Sequence, residues 1–207
     1  MMQDQLTQAL DNVRRLQDVV LAKQPFYGYS GKARIASGVA SIIIGYVLVH
    51  KFETDDFISQ FIAWGVLLAF ALILNYAALA YWFWNDQEVD RELYRLKPAL
   101  EALAPLAFGA VLTVSLLMRG QYDYLFGVWM GMYGLANIAS RHMMPRLMGI
   151  VGVYYLLAAT ICLAAPVGSF SLPLTMGLTF GVGEITAGLL MCQDKYAMKR
   201  QIEKEII

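Results

Sequence analysis

Six runs of mostly apolar residues, each near the length that crosses a bilayer, leave a chain like this few ways to fold. They lie at about 34–50, 57–82, 99–118, 122–140, 146–165 and 171–192. A hydrocarbon core about 30 Å thick takes roughly 20 residues of helix, and a helix satisfies its own backbone in lipid. Composition points the same way. Of the 207 residues 58% are hydrophobic and 15% charged, against roughly 25% charged in soluble domains. The expectation is an all-α polytopic membrane bundle of six transmembrane helices. Residues 1–32 read as a cytoplasmic amphipathic helix and interfacial hinge, 33–193 as the transmembrane domain, and 194–207 as a cytoplasmic tail. The first twenty residues are polar and periodic, without the apolar core of a signal peptide, so the first span is expected to direct insertion.

The charge pattern sets an orientation. All but Lys51 and Arg119 of the 16 Lys and Arg residues fall in the N-terminal segment, the second and fourth loops, or the tail. By the positive-inside rule both termini are expected to be cytoplasmic, with the chain integral to a bacterial inner membrane. No basic face is concentrated enough for nucleic acid. The aromatic run at 81–84 reads as an interfacial belt.

Residues 2–22 place Leu6, Leu10, Val13 and Val20 along one helical seam, with Asp4, Asp11 and Asp18 every seven residues on the polar side. Three aspartates against two arginines disfavour an anionic membrane surface. The segment reads as a helix that docks on a protein partner or on a second copy, or that folds against the cytoplasmic face of its own chain. Pro25 ends it.

The run 176–191 carries the most informative residue. Gly177, Gly181, Glu184 and Gly188 follow at steps of four, three and four, so they share one helix face. Glycine on that face lets a neighbouring backbone come close. A charge at mid-bilayer costs on the order of 3 kcal/mol, so Glu184 is expected to enter a helix–helix seam. With no Lys or Arg deep in any span, a permanent salt bridge is not expected. Glu184 would then be protonated, with Asn75 or Asn137 as neighbours. This polar trio reads either as a functional proton- or cation-handling site or as hydrogen bonds that tie helices together.

The even-numbered spans share a spacing. Gly65, Ala69, Leu72 and Asn75 are matched by Gly127, Gly131, Gly134 and Asn137, and by Gly177, Gly181, Glu184 and Ala187. Three repeated antiparallel hairpins follow, with the even helices packed through their small residues. The units with Gly38, Gly45, Trp64 and Gly65, and with Gly149, Gly152, Pro166, Met176 and Gly177, resemble those of the HdeD-like acid-resistance membrane proteins of bacteria. The resemblance covers the first and third hairpins. It implies a small inner-membrane protein linked to stress, with no catalytic motif to carry over.

Other chemistry finds no support. His50 and His142 sit near opposite ends of different spans, and Cys162 and Cys192 likewise, so no metal, haem or disulfide site is expected. Motifs of hydrolases, metalloproteases and P-loop proteins are absent. Two functions remain. One is a non-enzymatic bundle acting through partners or in membrane stress. The other is a small-solute or proton-linked transporter, or a membrane solute-binding subunit, centred on Glu184. No cofactor is implied, and the bilayer is the one partner the composition demands.

Overall fold

Residues 30–51, 57–85, 97–145, 147–165 and 172–206 are described by the computed structural model, and they form six α-helices and no strand. The helices are α1 (Gly31–Lys51), α2 (Phe57–Asn85), α3 (Lys97–Met118), α4 (Leu125–Ala139), α5 (Met148–Ala164) and α6 (Pro173–Ile206). Single 3-10 turns, Tyr122–Tyr124 and Ser140–Met143, flank α4.

Local chemistry sets the ends. Ser30 begins α1: its Oγ accepts from Ala33 N at 3.3 Å and its carbonyl from Arg34 N at 3.1 Å, satisfying donors that a helix start leaves orphaned. Pro173 opens α6, where a missing N–H is no loss. The tail expected from residue 194 is no separate element. Residues 193–206 contain neither Gly nor Pro and are rich in Lys, Arg, Glu and Gln, so α6 runs on to Ile206.

Four segments are long and apolar enough to cross a membrane: α1, α2, Ala99–Met118 of α3 and Pro173–Ala197 of α6. The remaining two, α4 with 15 residues and α5 with 17, rise about 23–26 Å at 1.5 Å per residue.

The closest seam joins α1 and α6 in antiparallel fashion, followed by α4 with α5 and α3 with α4. The expectation that the even helices pack on one another through small residues is therefore corrected. Gly177, Gly181 and Gly188 of α6 face α1. On α4, Gly127 meets Leu163 of α5, Gly131 meets Ala159 and Gly134 meets the Gly152 carbonyl at 3.0 Å. Gly65 of α2 has nothing within 4 Å of where a Cβ would stand. Shared spacing thus marks shared small faces, but each face is used by an odd-numbered neighbour or by none.

The core has two parts. Leu125, Phe126, Met130, Ala159 and Met176 gather Trp64, Trp129 and Phe180 around them. Met148, Val151, Tyr155, Ala187 and Met191 fill the space where α5 meets α6. In α1 and α6 39% of the apolar window is buried, against 6% in α2 and α3, so the last two are peripheral.

Candidate functional site

The α1–α6 seam is built from two complementary stripes. On α1, Gly31, Arg34, Gly38, Ser41 and Gly45 follow at steps of three, four, three and four. On α6, Gly188, Glu184, Gly181 and Gly177 run the opposite way, and all four are buried. A Cβ on Gly38 would stand 2.9 Å from the Gly181 carbonyl and 3.0 Å from Glu184 Cβ. One on Gly177 would stand 2.8 Å from the Ser41 carbonyl. Contacts of this kind let two backbones approach as no larger residue allows.

At the level of Arg34 the seam holds an ion pair. Arg34 Nη2 donates to Glu184 Oε1 at 2.6 Å and Nε to Oε2 at 3.0 Å, with both side chains about nine-tenths buried or more. This two-point geometry is the strongest form of the contact. Nη2 also donates to Asn137 Oδ1 at 3.0 Å and lies 3.4 Å from Tyr133 Oη, while the guanidinium carbon sits 5.8 Å from the Tyr133 ring centre. Asn137 is oriented by its own helix, since its Nδ2 donates to the Tyr133 carbonyl at 2.8 Å. Tyr155 Oη reaches Glu184 Oε1 and the Phe180 carbonyl, each at 3.3 Å. The Tyr155 ring fits because Gly183 offers no Cβ to collide with it.

Two expectations are corrected here. Glu184 is in an ion pair, held at two points by a guanidinium that stays charged in proteins. Arg34 was counted with the flanking charges, yet it lies one turn inside α1, about 4.5 Å along the axis from Gly31 at 1.5 Å per residue. A cation near a helix N-terminus opposes the helix dipole, so this position serves Glu184 and not α1 itself. Of the two amides, only Asn137 belongs to the shell. Asn75 donates to Ala71 O of its own helix at 2.8 Å.

Sequence reasoning missed Arg34, Tyr133, Tyr155 and Gly183. Arg34 had a legible signal: it occupies a place in a stripe of small residues spaced like the stripe around Glu184. The tyrosines had none, since their role depends on how α4 and α5 lean on α6.

Beside the ion pair lies a cavity of about 180 Å³. Its walls come from five helices: Ser37 and Ser41 of α1, Trp64 and Gly65 of α2, Thr113 of α3, Trp129 and Tyr133 of α4, and Phe180 and Glu184 of α6. Ser37 Oγ donates to the Ala33 carbonyl at 3.0 Å and Ser41 Oγ to the Gly177 carbonyl at 3.3 Å. Trp129 Nε1 donates to Thr113 Oγ1 at 3.0 Å. Glu184 thus has two faces, one locked to Arg34 and one on the cavity wall. Among the described residues no cluster of three His, Cys, Asp or Glu is placed to hold a metal.

Compared with protein-family models, curated proteins and solved structures, the chain matches none.

Proposed function

We propose that this chain is a non-enzymatic polytopic inner-membrane protein that holds a small solute within its bundle, as a carrier or the membrane solute-binding subunit of one. All six helices cross the bilayer in this reading, with both termini cytoplasmic, an orientation that the Lys and Arg distribution supports. The observation that carries it is the cavity of about 180 Å³ with Glu184 on its wall, a partly open, mostly apolar cleft with a few polar residues, of the kind that small molecules use. The ion pair fixes α1, α4 and α6 as a rigid wall. The peripheral α2, whose Trp64 meets Phe126 edge-on at 5.6 Å, is the wall that moves to admit a solute. The partner-binding or membrane-stress reading rests on residues 2–22, which lie outside the described residues, and on the HdeD-like resemblance. The cavity favours the solute reading over it.

The test is thiol access. Thr113→Cys, in a chain with Cys162 and Cys192 replaced by Ala, should react with the small neutral reagent methyl methanethiosulfonate and resist a bulky one. Gly65→Leu should slow the reaction by filling the cavity mouth. A Thr113→Cys chain inert to the small reagent would remove the basis for a solute site.

A further inference from the structure

The cavity beside the ion pair is a partly open cleft, and its position says where a guest comes from. Among the described residues α2 packs on α1 and α3 on α4, while α2 and α3 make no more than marginal contact. These two helices are also the peripheral ones, with 6% of their apolar windows buried. On the cleft wall Phe61 and Gly65 of α2 are exposed, and beside them Ile62, Val66 and Phe70 carry the apolar surface outward. The cleft is thus continuous with the face of α2 that a bilayer would cover.

Its length and depth match one leaflet of hydrocarbon. The wall runs from Phe61 to Ala71 on α2 and from Met176 to Glu184 on α6, about 15 Å and 12 Å at 1.5 Å per residue. Half of a hydrocarbon core about 30 Å thick is about 15 Å. Phe61 lies one turn inside the start of α2, and Met176 about one turn inside the start of α6. The wall therefore begins below the headgroups and ends near the middle of the spans.

The polar groups around the cleft are engaged or turned away. Ser37 Oγ donates to the Ala33 carbonyl, and the fully buried Ser41 donates to that of Gly177. Thr113 Oγ1 donates to the Gly109 carbonyl at 2.9 Å and accepts from Trp129 Nε1. Trp64 Nε1 is buried away from the opening, and Glu184 is paired with Arg34. Water in such a space needs about two to four polar partners, whereas hydrocarbon needs none. Wall atoms that face a gap forfeit dispersion contacts, and a chain of methylene groups supplies them.

We propose that the cleft binds an acyl chain of a bilayer phospholipid, which enters laterally between α2 and α3 and lies along Trp64, Trp129 and Phe180. This assignment rests on the solute-binding reading and names the class of its guest.

Tryptophan quenching by brominated phospholipid tests it. The chain has four tryptophans, and Trp82→Phe with Trp84→Phe leaves Trp64 and Trp129, both on the cleft wall. The full chain is placed in vesicles of dioleoylphosphatidylcholine or of phosphatidylcholine with 9,10-dibromostearoyl chains, where bromine quenches a ring only at near contact. The expected result is strong quenching by the brominated lipid. Gly65→Leu, at a position with open space around it, should remove most of that quenching with helix content unchanged. Ala71→Leu, at the other end of the α2 wall, should do the same. Quenching that persists in both variants would mean that the rings meet bulk lipid, and overturns the site. No quenching before either substitution overturns the acyl chain as guest. The thiol reaction of Thr113→Cys then reports separately: with it the solute reading stands without a lipid, and without it both fall.

Discussion

At the scale of single residues, the molecule turns on a carboxyl paired with a guanidinium where no salt bridge was expected. Removing one partner of a buried ion pair leaves the other uncompensated and costs about 3–5 kcal/mol. Glu184→Gln, which would be harmless to a protonated acid, should therefore destabilise the chain by that amount in thermal unfolding in detergent. The infrared difference between wild type and Glu184→Gln at neutral pH should show loss of carboxylate bands. Loss of a protonated-acid band instead would contradict the pair. Tyr155→Phe removes one weak hydrogen bond at 3.3 Å and should cost about 1 kcal/mol. The sequence made Glu184 legible as a seam residue because its neighbours on one face are glycines. Its partner was hidden by position: an Arg one turn inside a span reads as a flank until the register of α1 on α6 is known.

The elements were more legible than their partners. Apolar length gave all six helices, since a continuous apolar run has one way to satisfy its backbone in lipid. The pairing of helices did not follow, because a stripe of small residues says that something comes close and not what. Gly65 and Gly38 illustrate this. Both belong to the glycine units read from the sequence, yet a Cβ on Gly38 would meet the Gly181 carbonyl at 2.9 Å while one on Gly65 would meet nothing within 4 Å. Gly38→Ala should cost about 1–3 kcal/mol through overpacking, with loss of the compact detergent-stable form as the first sign. Gly65→Ala should be neutral or stabilise by up to about 1 kcal/mol through helix propensity. Equal costs at the two positions would refute the α1–α6 seam.

At the scale of the whole molecule, a tight unit of α1, α6, α4 and α5 carries two peripheral helices, and the cavity lies where the two groups meet. That arrangement was not legible, because a cavity is what side chains from five helices leave between them. The orientation was read from charge alone, and cysteine labelling tests it. Positions 53 and 168, both outside the described residues, should react from the outer side, and labelling of either from the cytoplasmic side alone would end the model. The rigid wall itself stands or falls with Arg34 and Glu184 acting as one unit, and a double-mutant cycle on unfolding stability measures that directly. Arg34→Met and Glu184→Met should each cost about 3–5 kcal/mol, while the double variant, with no charge left buried, should lie within about 2 kcal/mol of wild type. Additive losses in the double variant, with a coupling under about 0.5 kcal/mol, would contradict the account.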